Sequence, residues 1–154
     1  MTRCRIIDLF LLGLCLTVPA SLLAESGRTY PDRVVELVEE TRKSISSIDM
    51  EQFKEVLDSK AYDMIVDVRE PDEYARGRVP DAMNIPRGVI EFRIWRYIGF
   101  PDNTDTGKRI YLYCGSGSRC TLAAKSLQDL GFSRVVAVNM TFKAWQDAGY
   151  PVVK

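Results

Sequence analysis

The sequence predicts an α/β fold with a mainly parallel five-stranded sheet and helices on both faces. Short apolar runs, each suited to one buried strand, alternate along the chain with segments of helical periodicity. Such alternation is typical of parallel sheets, because a connection between parallel strands needs room for a helix. The expected strands are residues 44–48, 64–68, 82–85, 110–113 and 135–138.

Helices are expected in the intervening segments and before the first strand. Asp49 is suited to cap a helix through Leu57, and a longer helix is expected to begin at Arg119 and end before Gly131. Residues 31–44 form an amphipathic segment ahead of the core domain. We expect this segment to pack on its own domain, and the alternative is a homodimer contact. The remaining expected elements are a helical turn at 72–75 and a final helix at 142–148.

The composition excludes several classes of function. The 154 residues suffice for one domain and a targeting segment. Basic and acidic side chains number 21 each, so the charge balance indicates neither nucleic acid nor a membrane surface as a partner. Because the chain has no histidine, Ser–His and Cys–His pairs are excluded, and the cysteine spacing argues against structural zinc. We expect no metal and no cofactor.

The N-terminus has the pattern of a secretory signal. Arg3 and Arg5 precede a largely apolar run, after which Ala20 or Ala24 offers a cleavage site. We therefore expect residues 1–24 to be removed on export to the periplasm, leaving no stable membrane anchor. The alternative is a retained anchor.

Two cysteines, Cys114 and Cys120, remain after that cleavage. The expected division is then a signal peptide at 1–24, an N-terminal helical extension at 25–43 and the core domain at 44–154. An exported protein with only these two cysteines has no structural disulfide framework to account for them. This favours a functional role for the pair.

The segment around Cys114 has the pattern of a reactive cysteine. The strand 110–113 ends at Cys114, a glycine-rich loop covers 115–118, and Arg119 opens the helical segment. The backbone N–H groups of such a loop, the positive end of the helix and the arginine all favour a thiolate over a thiol. Cys114 is therefore the predicted nucleophile.

The residues after Cys114 have expected parts in a cradle around its sulfur. Gly115 and Gly117 are expected where the loop needs a small residue or a positive φ. Ser116 and Ser118 are hydroxyl donors to the sulfur or its substrate, or else solvated loop residues. Arg119 attracts anions and stabilises the thiolate, or else forms a salt bridge that closes the loop.

The length of the loop distinguishes two chemistries. Cysteine phosphatases use C-x5-R, whereas Cys114 and Arg119 form a shorter C-x4-R loop that suits one extra sulfur atom better than a phosphate. This loop resembles the active-site loop of the rhodanese (sulfurtransferase) family, C-x-x-G-x-R-S. Cys114, Gly117 and Arg119 match that pattern, and Cys120 replaces the usual serine.

The resemblance extends to both sides of the loop. Residues 65–86 resemble the family's D-V-R-x-x-x-E-[FY]-x-x-G-H-I-x-G-A-x-N-I-P segment, with Arg78 in place of the histidine and Asp81 in place of the second glycine. Residues 131–151 resemble its closing G-[FY]-x-x-V…W…G-x-P-V segment, without the usual Gly-Gly before Trp145.

The match covers about residues 45–153 and implies a single rhodanese-like domain with sulfurtransferase activity. The resemblance implies that the Cys114 thiolate takes sulfane sulfur from a small anionic donor, thiosulfate or polysulfide, and holds it as a persulfide. A thiophilic acceptor, which is cyanide, a thiol or a protein, then removes that sulfur.

Charged residues outside the loop have two expected roles. Asp67 and Arg69, in the D-V-R place, are expected to support the neighbouring loops. Arg87, Arg93 and Arg96 belong to an aromatic and basic segment. Either this segment is a helix packed over the sheet with Arg93 and Arg96 in water, or it covers Cys114 and its arginines attract the anionic donor.

Cys120 has two interpretations. It is a small substitute for the family's serine, or it is a resolving thiol that attacks a persulfide on Cys114 or closes a disulfide with it. The rival functions are therefore a Cys114/Cys120 thiol–disulfide redox protein and a non-catalytic sulfur-carrier module. A phosphatase of the same fold is disfavoured by the short loop.

Overall fold

The sheet is the centre of the fold and places Cys114 at the end of its middle strand. The computed structural model describes residues 30–154, so the predicted signal peptide lies outside the described residues. The strands are β1 (Ser46–Ile48), β2 (Met64–Asp67), β3 (Ala82–Asn84), β4 (Ile110–Tyr113) and β5 (Val135–Val138). They lie in the order β1-β5-β4-β2-β3, and every pair is parallel. The predicted α/β fold is confirmed, and the sheet is fully rather than mainly parallel.

Helices connect the strands. They are α1 (Asp32–Arg42), α2 (Met50–Asp58), α3 (Pro71–Arg76), α4 (Ile90–Arg93), α5 (Ser118–Asp129) and α6 (Phe142–Asp147). The Asp49 side chain accepts the Gln52 N–H, so the cap predicted to begin α2 is formed, and the Gln52 side chain accepts the Asp49 N–H in return. Among residues 30–154, no helix is both long and apolar enough to cross a membrane.

The segment after β3 is less regular than a single helix. A 3₁₀ turn at Arg87–Val89 precedes α4, and another at Ile94–Tyr97 follows it. Ile90, Ile94 and Ile98 are fully buried, so every fourth residue of this segment anchors it to the sheet. The rest of the segment is held by these anchors and not by one continuous helical hydrogen-bond ladder.

The two faces of the sheet carry separate hydrophobic clusters. Along β4, Ile110 and Leu112 belong to one cluster and Tyr113 to the other, as the alternation of side chains in a strand requires. α5 contributes Cys120, Ala123, Ala124 and Leu127 to the first cluster. α2 and α6 contribute Phe53, Leu57, Phe142 and Trp145 to the second. Helices therefore cover both faces.

The N-terminal helix α1 packs against α5. Val38 is its buried residue, while Val34, Val35 and Leu37 are between 42% and 46% exposed. The expected packing on its own domain is therefore observed, and the apolar face that stays exposed keeps the homodimer alternative open.

A buried ion pair fixes the carboxyl end of β2. Asp67 is fully buried and Arg69 is 4% exposed. The Asp67 carboxylate accepts the backbone N–H, Nε and Nη2 of Arg69, and Nη2 also donates to the Gly77 carbonyl. Each charge is thus compensated, which a buried charge requires.

We predict that Asp67→Asn destabilises the fold, because it leaves the Arg69 guanidinium buried beside a neutral partner. The free energy of unfolding, measured by urea denaturation, should fall by about 3–5 kcal/mol. Asp72→Asn is the control, since it breaks the Arg76–Asp72 pair, in which both side chains are 69% exposed. That loss should stay below about 1 kcal/mol. Equal losses in the two variants would contradict the prediction.

Candidate active site

Cys114 follows β4 directly, at the carboxyl end of a strand flanked on both sides. Its side chain is fully buried, and its Sγ accepts the Gly117 N–H at 3.2 Å. Gly117 has a φ of +82°, and a Cβ there would lie 3.3 Å from the Asn139 Oδ1. Glycine is favoured at this position chiefly because L side chains rarely adopt that φ, and a Cβ would also press on the Asn139 side chain.

The surroundings of Cys114 favour its thiolate. The largest effect is the hydrogen bond from the Cys120 thiol, followed among the favourable contacts by the backbone N–H groups of Cys120, Ser116 and Gly117. Together they outweigh the cost of burying the charge and lower the pKa of Cys114 to about 6. The sulfur is therefore mostly ionised at neutral pH.

Cys120 lies on the first turn of α5 and faces Cys114. The two Sγ atoms are 3.7 Å apart, and the Cys120 Sγ is also 3.2 Å from the Gly117 carbonyl oxygen and 3.5 Å from that of Val138. The pKa of Cys120 lies well above its usual value, because its thiol donates a hydrogen bond to Cys114 and is itself buried. Cys120 therefore stays a thiol where Cys114 is a thiolate, and the two cysteines are not bonded to each other.

Arg119 closes the loop through a carboxylate on α3. Its Nη1 and Nη2 donate to the two Glu73 carboxylate oxygens at 2.6 and 2.9 Å. This contact lowers the pKa of Glu73 to about 2 and raises that of Arg119, to which the Cys114 charge also contributes. A Cβ at Gly115 would lie 3.1 Å from the Arg119 Nη2, so the pair packs against the glycine. The salt-bridge alternative is thus the one formed, with the guanidinium still within electrostatic reach of the thiolate.

The two loop serines are accessible. Ser116 is exposed and Ser118 is half-buried. Within residues 30–154, neither hydroxyl forms a hydrogen bond. A role as donors to the sulfur or to its substrate stays a prediction.

The pair Asp67 and Arg69 reaches the active loop through α6. The Arg69 guanidinium lies 3.8 Å from the centre of the Phe142 ring. The Phe142 N–H donates to the Gly115 carbonyl at 3.1 Å. Gly115 is therefore positioned from the α6 side by Phe142 and from the α3 side by Glu73, and the supporting role of Asp67 and Arg69 stays a prediction.

The three arginines between β3 and β4 contact other partners than the loop. Arg87 donates to the Glu91 carboxylate and to the Ser126 hydroxyl. Arg93 and Arg96 are exposed. Arg96 lines an apolar groove of about 410 Å³ together with Phe92, Trp95 and Phe100. None of the three donates to a described residue of the cradle, and their attraction of an anionic donor stays a prediction.

Two residues that the sequence analysis had not assigned to the site, Glu73 and Arg42, also lie beside the loop. Glu73 stands at the fixed E of D-V-R-x-x-x-E, and this motif position could have identified it. Arg42, at the end of α1, places its Nη2 3.7 Å from where a Gly117 Cβ would lie. No sequence signal connects Arg42 with the loop, because the contact arises only from the packing of α1 on α5. In the part of the chain described, no group of acidic, histidine or cysteine residues could hold a metal ion.

Fold and site together place a cysteine thiolate, held by backbone N–H groups, directly after a central parallel strand. Residues 49–148 match the family described as the rhodanese-like domain. The chain belongs to this family, and its relatives include sulfurtransferases.

Three comparisons illustrate that membership. A sulfurtransferase of Allochromatium vinosum is 31% identical over 71% of this chain and 95% of its own length. YrkF of Bacillus subtilis, named for a role as a sulfur carrier, is 33% identical over 69% of this chain, which spans only 54% of YrkF. The structure of RPA3614 from Rhodopseudomonas palustris, of unknown function and described as a possible tyrosine phosphatase, is 32% identical with a TM-score of 0.67, covering 82% of this chain and 96% of RPA3614.

We predict that alkylation of Cys114 by iodoacetamide rises with pH around a midpoint near 6, the pKa of its thiol. Cys120→Ala removes the thiol hydrogen bond to the thiolate and should raise that midpoint by roughly 1–2 units. Cys120→Ser retains a donor and should restore most of the shift. An unchanged midpoint in Cys120→Ala would contradict the assigned hydrogen bond.

Proposed function

We propose that this protein is a sulfurtransferase that moves sulfane sulfur from thiosulfate or polysulfide through a persulfide on Cys114. The observation that carries the proposal is the Cys114 thiolate, with a pKa of about 6, inside a C-x4-R loop. A thiolate is the species that attacks sulfane sulfur, and the short loop suits one added sulfur atom better than a phosphate. No base is needed, since the nucleophile is already ionised.

The proposed reaction has two steps. The Cys114 thiolate attacks the outer sulfur of thiosulfate, the S–S bond of the donor breaks, and sulfite leaves with its electron pair. The negative charge then lies on the terminal sulfur of the persulfide, where N–H groups of the loop stabilise it. A cyanide ion, thiol or protein attacks this terminal sulfur in the second step and restores the thiolate. Because Cys114 is fully buried, the loop has to open locally before the sulfur donor or the acceptor can reach its sulfur.

The test is the intact mass of the protein before and after thiosulfate or polysulfide. The expected result is a gain of one sulfur that is absent in Cys114→Ala and is lost on adding cyanide, with thiocyanate as the product. The control is Cys120→Ala, which keeps the proposed nucleophile. A failure of both donors to add sulfur to Cys114 would overturn the proposal.

A second candidate is a thiol–disulfide redox protein, and the 3.7 Å between the two Sγ atoms favours it. Its signature is a Cys114–Cys120 disulfide that cycles with a dithiol in the absence of any sulfur donor. A non-catalytic sulfur carrier would load Cys114 but would turn over slowly with every small acceptor. Hydrolysis of an aryl phosphate would instead indicate a phosphatase, which the short loop disfavours.

Arg42 is the residue we propose to attract the anionic donor. It borders Gly117, whose N–H donates to the Cys114 Sγ, and it lies outside the matched segment 49–148. Its own partner is Glu39, at 2.7 Å. Because Arg119 is already paired with both oxygens of Glu73, Arg42 supplies the less compensated positive charge beside the loop.

We predict that Arg42→Gln raises the KM for thiosulfate roughly two- to fivefold, as expected for a surface charge interaction worth about 0.5–1 kcal/mol. The effect should shrink at high salt. Arg33→Gln is the matched control, since Arg33 makes the same type of pair with Glu36 on the same helix. A KM that changes equally in both variants would contradict a local role for Arg42.

We also propose that the mature protein is periplasmic. The support is the signal pattern of residues 1–24, which lie outside the described residues. The acceptor in the cell would then be a periplasmic thiol or protein. Cell fractionation with N-terminal sequencing tests this, and a full-length chain in the cytoplasm would overturn it.

A further inference from the structure

We propose that Cys120 resolves the Cys114 persulfide, which gives the protein a second activity: release of hydrosulfide with formation of a Cys114–Cys120 disulfide. The proposal rests on the sulfurtransferase function above, because the persulfide is its starting point. It differs from transfer to an acceptor, since the sulfur leaves as hydrosulfide and both cysteines end oxidised.

The position of Cys120 carries the proposal. Its Sγ lies 3.7 Å from the Cys114 Sγ, and a disulfide bond measures about 2.0 Å. The two sulfur atoms therefore have to approach each other by roughly 1.7 Å for the bond to form. The Cys120 thiol would give up its contacts with the carbonyl oxygens of Gly117 and Val138, at 3.2 and 3.5 Å.

Burial favours the internal thiol over an external one. Both cysteines are fully buried, so an outside acceptor reaches the Cys114 sulfur only after the loop opens, whereas Cys120 is already in contact. Residues 30–154 contain no other cysteine that could compete. When no acceptor arrives, the persulfide is therefore exposed to one thiol alone.

The step balances without any outside oxidant. The Cys120 sulfur attacks the Cys114 Sγ, the S–S bond of the persulfide breaks, and its electron pair leaves with the terminal sulfur. The proton of Cys120 moves to that departing sulfur, so a persulfide anion and a thiol give a disulfide and hydrosulfide. The terminal sulfur is reduced and the Cys120 sulfur is oxidised. A dithiol reductant then exchanges with the disulfide and restores both thiols.

The proton of Cys120 is available for the departing sulfur. The pKa of Cys120 is raised because it donates a hydrogen bond to the Cys114 thiolate and is buried, so Cys120 is still protonated when the persulfide forms. Loading moves the negative charge from the Cys114 Sγ to the terminal sulfur, which becomes the acceptor for that proton. Transfer of the proton turns the Cys120 sulfur into the attacking thiolate and the terminal sulfur into a better leaving group.

The test follows loaded protein after the donor has been removed. Wild-type protein is treated with thiosulfate and desalted, and intact mass under non-reducing conditions and free hydrosulfide are recorded over time. Each value is expressed per loaded chain, so differences in loading between variants do not matter. The expected result is one hydrosulfide per loaded chain and a mass two hydrogens below that of the reduced protein, reversed by a dithiol.

The comparison variant is Cys120→Ser, whose hydroxyl can still donate to the same carbonyl groups, with Cys120→Ala as a second variant if serine disturbs the fold. Both should hold the added sulfur at least about tenfold longer and release no stoichiometric hydrosulfide. A loaded wild-type protein that keeps its sulfur as long as Cys120→Ser would overturn this inference and leave the sulfurtransferase proposal standing. A Cys120→Ser protein that never loads would overturn both.

Discussion

The hydrogen bonds to the Cys114 sulfur are the interaction on which the rest of the site depends. A buried thiolate is stable only if donors replace the water that it loses. Here the donors are the Cys120 thiol and the backbone N–H groups of Cys120, Ser116 and Gly117. The backbone can aim those groups inward only because Gly117 adopts a φ of +82° and α5 begins directly after it. The ionisation of the Cys114 sulfur therefore depends directly on the backbone conformation of the loop.

The loop is held in this geometry by contacts from the elements around it. The Arg119–Glu73 pair packs against Gly115 from α3, and the Phe142 N–H binds its carbonyl from α6. Phe142 in turn lies under the guanidinium of Arg69, which Asp67 holds at the end of β2. The two supporting arginines are each paired with a carboxylate, Arg69 with Asp67 and Arg119 with Glu73, so neither forms an ion pair with the Cys114 thiolate. The thiolate is left with hydrogen-bond donors as its main partners.

The sequence predicted the parts of this arrangement that depend on local pattern. All five strands lie within the predicted runs, and the first shrinks only to Ser46–Ile48. The segment after β3 was harder to predict. The spacing of its buried isoleucines is that of a helix, but the chain alternates between 3₁₀ and α turns and still keeps them against the sheet. Arg42 could not be foreseen at all, since its contact joins two helices far apart in sequence. Asp81 stands in place of the family's glycine with a φ of +62°, and its carboxylate accepts hydrogen bonds from Lys60 and Tyr62.

The low pKa of Cys114 also links the chemistry to the stability of the fold. An unfolded cysteine has a pKa of about 8.5, while that of Cys114 in the fold is about 6. Between these values the folded state binds fewer protons, so ionisation adds stability that is present at higher pH and is lost as the pH falls through about 6. In the proposed reaction, sulfur loading would keep the negative charge and move it one atom outward, so that the Cys114 Sγ would be neutral with the Cys120 thiol beside it. Of the contacts made by the Cys114 sulfur, that with Cys120 would change most, because the thiol that stabilises the resting thiolate would then face an electrophilic sulfur.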